Sequence, residues 1–221
     1  VESDGRASSY LVGLNGSGPS LGRSPQKALI SLDNTISEIT GPVFGHNILG
    51  ELDNDLIHNF AKAGESGIGP RIIVYGRVLD ERGKGVPGVL LEVWQANARA
   101  RYAHPRHSNT EAPLDPNFQG FARLVTDAEG RYRFKTVKPG AYPINPMNPT
   151  AVRTPHIHFD IAGKRTHLVT QMYFPGEKLN TGDRIFSALG ANGASTIAML
   201  LPPTEDMAAS ELLFGWDIVL A

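Results

Sequence analysis

From residue 70 onward, short runs of β-favouring residues alternate with turns, and this spacing limits the folds open to the chain. The run at 71–79 ends in the turn cluster 80–85. The run at 131–137 alternates polar and apolar residues with a period of two, and Lys138-Pro139-Gly140 follows it. Further runs with strand character lie at 89–94, 121–126, 156–162, 167–174 and 214–220. Short strands at this spacing predict an all-β sandwich or barrel.

The segment before residue 70 has a different character. Residues 1–25 are rich in Gly and Ser and are predicted to form an extended N-terminal arm, which could wrap a partner subunit. Short helices are predicted within 26–40 and 53–62. Because no repeat and no second core are visible, we expect a single domain over residues 26–221.

Composition excludes several classes of protein. The chain has 21 basic and 22 acidic residues and a formal net charge of −1, so we expect neither a nucleic-acid partner nor a membrane partner. It has no cysteine, which rules out disulfides, thiolate metal sites and a cysteine nucleophile. Any metal must therefore be bound by His, Asp, Glu or Tyr. No basic and apolar leader is visible, and we expect a cytoplasmic protein.

Two histidines, His156 and His158, are spaced so that a strand would direct both imidazoles to one face. An isolated pair of this kind is more often solvated or packed in a core than bound to a metal. Tyr142, in the rigid loop 139–143, and Tyr102, which follows a predicted strand, could complete a set of four ligands. Each tyrosine alone is more often a packing residue.

The residue types in this set discriminate between metals. Zinc favours Cys, His and carboxylate ligands, and phenolate is unusual for it. A zinc hydrolase built on His156 and His158 would need a third His or carboxylate, which the sequence does not offer at a recognisable spacing. Two neutral imidazoles and two tyrosinates instead form a hard, anionic donor set that suits Fe(III). Two phenolates and one hydroxide would neutralise the three charges of this ion in a buried site.

A series of motifs follows in order along most of the chain. They are RSP at 23–25, ISEITGP at 36–42, RIIV at 71–74, WQAN at 94–97, APLDPNF at 112–118, KPGAYP at 138–143, HIHF at 156–159 and FGWDIVL at 214–220. Together they resemble the intradiol ring-cleavage dioxygenases, and they are most similar to the iron-binding subunits of that family that act on protocatechuate. The resemblance implies a β-sandwich core with short helices.

The resemblance also implies roles for individual residues. One Fe(III) per chain would be bound by the four ligands Tyr102, Tyr142, His156 and His158. Tyr102 would leave the iron when substrate binds, Arg153 would stabilise negative charge on the bound aromatic ring, and Gln171 would be a further polar pocket residue. The expected substrate-binding residues are Trp94, Ile144, Arg23 and Tyr142.

The activity implied is the opening of a catechol-type ring between its two hydroxylated carbons, with O2 as co-substrate. Protocatechuate would give 3-carboxy-cis,cis-muconate, a step of aromatic degradation through the β-ketoadipate pathway. Ile144 stands where the related subunits usually have Trp, and Ser17 where they have Tyr, so another para-substituted catechol such as 4-sulfocatechol is an alternative.

A partner chain is also implied by the resemblance. The related iron-binding subunits assemble with a homologous α subunit, so we expect a hetero-oligomer. In a different class, the strand and turn pattern would also suit a non-catalytic β-sandwich binding subunit, as the α subunits are. Because α subunits have lost the iron ligands and this sequence has all four, the catalytic role is favoured.

Overall fold

The computed structural model describes residue 50 and residues 53–104, 111–145, 148–163 and 166–220. The predicted N-terminal arm, the helix expected within 26–40, the proposed domain boundary and Arg23 all lie outside these residues.

Strands dominate the part of the chain that the structure describes. They are β1 Arg71–Asp80, β2 Leu90–Trp94, β3 Phe121–Val125, β4 Arg131–Val137, β5 Tyr142–Asn145, β6 Asn148–Arg153, β7 His156–Ala162, β8 His167–Tyr173, β9 Met199–Leu201, β10 Leu212–Gly215 and β11 Ile218–Leu220. The α-helix α1 spans Arg184–Ala188, between the 3-10 helices Asn180–Gly182 and Gly190–Thr196. The prediction of an all-β protein with short helices is confirmed. No helix in the described ranges is long and apolar enough to cross a membrane.

The strands form two main sheets and a hairpin. In the first sheet β1 pairs antiparallel with β4 and parallel with both β10 and β11, and β9 lies beside β10. The second sheet has the antiparallel order β3-β2-β7-β8. Strands β5 and β6 form a separate two-stranded ribbon.

Apolar side chains from both sheets meet in one core. The ring of Phe159 on β7 lies 6.0 Å from that of Phe134 on β4 and 5.1 Å from that of Trp216, measured between centroids. All three side chains are buried. Because the rings come from opposite sheets, their contacts show the face-to-face packing of a sandwich.

The single strand predicted at 214–220 is interrupted in the structure. The Trp216 N–H donates to the Tyr75 carbonyl at 2.9 Å, and the Arg77 N–H donates to the Asp217 carboxylate at 2.8 Å. A side chain thus replaces one backbone hydrogen bond of the parallel ladder along β1, at the point where its pairing passes from β10 to β11. Gly76 permits this approach, since a Cβ there would lie 1.8 Å from the Trp216 carbonyl oxygen.

The helix predicted at 53–62 is wrong, because the structure has turns there. The Leu56 N–H donates to the Lys135 carbonyl at 2.9 Å, and the Lys135 N–H donates to the Asn54 carbonyl at 2.8 Å. Pairing with β4 therefore takes the Asn54 carbonyl, which a helix over 53–62 would have bonded to the His58 N–H. Leu56 and Ile57 are fully buried in the core, whereas Phe60, the third large apolar residue of the pattern, is 52% exposed.

Candidate metal centre

Strand β7 supplies two adjacent imidazoles through its alternation of faces. Ile157 and Phe159 point into the sandwich core, whereas His156 and His158 point to the opposite face of the sheet. Both histidines are buried, and their Nε2 atoms lie 3.2 Å apart. The chelating geometry expected from the spacing is therefore present.

Two tyrosine hydroxyls approach the same histidine. The hydroxyl of Tyr102 lies 3.5 Å from His156 Nε2, and that of Tyr142 lies 3.4 Å from the same atom. The two phenol rings meet edge to face, with centroids 5.5 Å apart. The structure thus brings together the four side chains that the sequence suggested as metal ligands.

The loops that present the two tyrosines are held against each other by Asn97. Its side-chain oxygen accepts two backbone N–H groups of the turn just before Tyr102, at 2.9 and 3.0 Å, and its carbonyl accepts the Gly140 N–H at 3.0 Å. Ala100 in this turn has a left-handed φ of 70°. A Cβ on Gly140 would lie 2.7 Å from the Ala100 nitrogen, so the close approach requires glycine before Tyr142.

A row of side chains crosses the second sheet beside the histidines. Trp94 on β2 pairs with His158 on β7, and His158 pairs with Gln171 on β8. The indole of Trp94 stacks on the imidazole of His158 with a centroid distance of 4.9 Å and an interplanar angle of 2°. This contact fixes the plane of His158 and forms an apolar wall of the site.

Arg153 enters the site from the ribbon, where it pairs with Tyr142. Its Nε donates to the Asp183 carboxylate at 2.9 Å, and its Nη2 donates to the Gln171 side-chain oxygen at 2.5 Å. Burial alone lowers the pKa of Arg153, but Tyr142 and Asp183 raise it above its ordinary value. A fixed positive charge therefore lies beside the two tyrosines and two histidines.

Hydrogen bonding and burial keep the imidazoles in the form that binds metals. His156 Nδ1 donates to the Thr154 carbonyl at 2.6 Å, so its Nε2 presents a lone pair to the tyrosines. Burial, together with the charge of Arg153, lowers the pKa of His156 to about 3. Burial and the neighbouring His156 lower the pKa of His158 well below its ordinary value. Both rings are neutral at physiological pH.

Burial has the opposite effect on the pKa values of the two phenols, which it raises. Burial raises the pKa of Tyr102 well above 10, and the nearby Tyr142 raises it further. Burial also raises the pKa of Tyr142, although the charge of Arg153 acts in the other direction. Both groups stay protonated unless a cation stabilises the phenolate, as a bound metal does.

The spacing of the four donor atoms fits a single metal ion. Distances of 3.4 to 3.5 Å from His156 Nε2 to the phenol oxygens are long for hydrogen bonds. Donors bound tetrahedrally at about 2.0–2.2 Å would lie roughly 3.3–3.6 Å apart. Within the described ranges, no three His, Cys, Asp or Glu side chains form a possible metal site. A metal ion at this point would therefore need donors of another type, and the two phenol oxygens are the ones within reach.

Two more residues, Ile144 and Arg23, were predicted from the sequence to bind substrate. Ile144 on β5 is 43% exposed, next but one to Tyr142. Arg23 lies outside the described residues. Two further residues of the site, Thr154 and Asp183, were not predicted. Asp183 contacts Arg153 from 30 positions away along the chain, and no local motif marks such a contact.

This chain is similar in sequence and in fold to known proteins. The sequence family described as Dioxygenase matches residues 39–221. The protocatechuate 3,4-dioxygenase beta chain of Burkholderia cepacia is 52% identical over 205 residues, which cover 91% of this chain and 85% of that one. The hydroxyquinol 1,2-dioxygenase of a Rhizobium species is 30% identical over 174 residues, which cover 70% of this chain and 56% of that one.

Solved structures give the same result for the fold. The 3-chlorocatechol 1,2-dioxygenase of Rhodococcus opacus superposes with a TM-score of 0.65 at 22% identity, covering 96% of this chain and 86% of that one. The match of the Dioxygenase family over residues 39–221 and the 52% identity to the beta chain extend over nearly all of the described residues. The chain therefore belongs to the intradiol ring-cleavage dioxygenases, and it is an enzyme of that family.

Proposed function

We propose that this chain binds one Fe(III) ion through Tyr102, Tyr142, His156 and His158 and cleaves protocatechuate between its two hydroxylated carbons with O2. The observation that carries the proposal is the convergence of two imidazole nitrogens and two phenol oxygens at one buried point. The identity of 52% to a protocatechuate 3,4-dioxygenase beta chain supports the choice of substrate.

The donor set favours ferric iron over softer metals. Hard oxygen donors with negative charge stabilise a small, highly charged cation, and the two neutral imidazoles complete the set. When bound, Fe(III) would supply Lewis acidity that withdraws electron density from an aromatic diol. That chemistry prepares the ring for reaction with dioxygen.

Tyr102 has the properties of a proton acceptor. A catechol must lose its hydroxyl protons to become an electron-rich dianion, and a buried phenolate is a strong base because burial disfavours its charge. The proton from one substrate hydroxyl would pass to the Tyr102 oxygen. Tyr142 would remain the anionic partner of Arg153, whose charge and hydrogen bond favour its phenolate form.

Arg153 and Trp94 would act directly on the aromatic substrate. The guanidinium is a fixed positive charge in a site with little water, where its stabilisation of developing negative charge is stronger than in solution. The indole of Trp94, stacked on His158, would limit the positions open to a planar ring. Gln171 would hold the guanidinium in place.

The para substituent of the substrate and the partner chain are part of the same proposal. Ile144 is the exposed residue nearest in sequence to Tyr142 on β5, and we propose that it faces the substituted end of the ring. A carboxylate is the first choice there, and a sulfonate is the alternative. Because the relative from Burkholderia cepacia is a beta chain, we propose assembly with a homologous α subunit in a hetero-oligomer.

The experiment has a spectroscopic part and a catalytic part. Iron content and visible absorption of the purified protein are measured first, with Tyr142→Phe as the variant. We expect one iron per chain and a tyrosinate-to-iron charge-transfer band that the variant shifts. Protein that remains free of iron and colourless after ferric loading would contradict the metal assignment.

Oxygen uptake is then measured with protocatechuate, 4-sulfocatechol, catechol and hydroxyquinol. The chain is tested alone and with its candidate α subunit. We expect the highest kcat/KM with protocatechuate and a muconate as product. Higher kcat/KM with 4-sulfocatechol would select the alternative substrate, and a product cleaved outside the diol would reject the proposed reaction.

A further inference from the structure

Asp183 is a fully buried carboxylate behind the candidate metal centre, and each of its oxygens accepts two hydrogen bonds. One oxygen accepts from Arg153 Nε and from the Thr154 N–H, both at 2.9 Å. The other accepts from the N–H groups of Ile185 and Phe186, at 2.8 and 3.2 Å. The second pair is the N-cap of α1, so one side chain connects that helix to the site.

The carboxylate determines which way the guanidinium of Arg153 faces. Arg153 is held at Nε by Asp183 and at Nη2 by Gln171, and Tyr142 accepts a hydrogen bond from it. A planar guanidinium that is hydrogen-bonded at two of its nitrogens cannot rotate, so its orientation is fixed. In metal-free protein, where Tyr142 is protonated, Asp183 is the partner among these that carries a formal negative charge, and its side chain is also fixed as the N-cap of α1.

The same carboxylate also acts on the histidine side of the site. Its contact with the Thr154 N–H fixes a peptide unit of the segment between β6 and β7. The carbonyl of Thr154 accepts the Nδ1–H of His156, and the Thr154 hydroxyl donates to Asn180 at 2.7 Å. Asp183 thus supports both the charge of Arg153 and the residue that selects the tautomer of His156.

We propose that Asp183 is a positioning residue: the oxygen that accepts from Arg153 and Thr154 aims the guanidinium of Arg153 at the substrate, while the other oxygen caps α1. The effect on ring cleavage rests on the proposed function. The orientation of Arg153 does not, and it can be measured in protein without metal.

The principal variant is Asp183→Ser, because serine still caps a helix but cannot pair with a guanidinium. Asp206→Ser is the matched control, since it removes an exposed ion pair with Arg133 far from the site in sequence. With iron content equal to wild type, we expect Asp183→Ser to reduce kcat/KM about 10-fold to 100-fold. The control should leave kcat/KM within about twofold of wild type.

A double-mutant cycle separates positioning from a merely structural role. If Asp183 acts through Arg153, the double variant Asp183→Ser/Arg153→Met should be no slower than Arg153→Met alone, within about twofold. Losses that multiply in the double variant would overturn the proposal. Wild-type kcat/KM in Asp183→Ser would also overturn it.

The second readout is hydrogen exchange of the Arg153 side chain in metal-free protein. In wild type we expect the Nε–H of Arg153 to exchange about 100-fold more slowly than that of the exposed Arg131. Asp183→Ser, or the more conservative Asp183→Asn if serine prevents folding, should remove most of this protection. Undiminished protection in a folded variant would overturn the proposal. Lost protection in a protein that never cleaves catechols would support the positioning and reject the proposed function instead.

Discussion

Acidification should destabilise the metal-free protein through His156 and His158. Burial lowers the pKa of His156 to about 3 and that of His158 well below its ordinary value, so both remain neutral in the folded state at pH 5. In the unfolded chain both bind a proton below about pH 6.5. Because the unfolded state then binds more protons, the free energy of unfolding must fall as the pH falls.

The size of the effect follows from the shift. Each pH unit below the unfolded pKa removes about 1.4 kcal/mol per histidine until the folded pKa is reached. Between pH 7.5 and 5 the ring of His156 therefore contributes a loss of about 2 kcal/mol, and His158 adds a loss of the same sign. This is a large fraction of the roughly 5–15 kcal/mol that stabilises an ordinary domain.

The assay is urea unfolding of chelator-treated protein at the two pH values. The double variant His156→Gln/His158→Gln is the control, because it keeps polar side chains at both positions but cannot titrate there. All other titrating groups are common to the two proteins, so the difference in pH dependence isolates the pair. The reasoning would be refuted if the double variant lost as much stability on acidification as wild type.

Three further changes test other parts of the structure. Gly140→Ala should destabilise the fold by about 1–3 kcal/mol and weaken iron binding, because the new methyl would press on Ala100. Urea unfolding and iron titration measure the two effects, and unchanged iron binding would contradict the prediction. Phe159→Ala should cost about 3–5 kcal/mol in urea unfolding, since the ring fills the fully buried centre of the sandwich, and a loss below about 1 kcal/mol would mean that the core is packed differently. Arg133→Ala should change stability by less than about 1 kcal/mol, because its ion pair with Asp206 is exposed, and a larger change in the midpoint would reveal an unrecognised contact.

The residue pattern within a single segment predicted two features of the fold correctly. The alternation of residues 131–137 gives β4 with the bounds found in the structure, and the histidine spacing predicted two imidazoles on one face of β7. The turn segment 53–62 was predicted incorrectly because the backbone of residues 54–56 pairs with Lys135 instead of forming a helix, and Leu56 and Ile57 are buried in that arrangement. That partner is distant in sequence, and helical periodicity gives no information about it.

The residues of the candidate site fall into two groups: those that the sequence marks, and one that only the tertiary fold brings to the site. Tyr102, Tyr142, His156 and His158 were identified from residue types, motifs and family resemblance, and the structure brings them together. Asp183 was not identified, because an aspartate before a short helix is indistinguishable in sequence from an ordinary N-cap. Its second role depends on Arg153 approaching its other oxygen, which only the tertiary fold specifies.

The parallel pairing of β1 with β10 and β11 has a consequence for how the protein reaches its native state. The contact between Arg77 and Asp217 joins residues 140 positions apart, so the first sheet closes a long loop of the chain. Such non-local pairing slows folding, because the loop entropy is lost before the contacts form. On the ribosome, β1 must wait with one edge unpaired until residues 212–220 emerge. During that interval an apolar strand edge is open to other chains, so the yield of folded protein should depend on temperature and chaperone supply during synthesis.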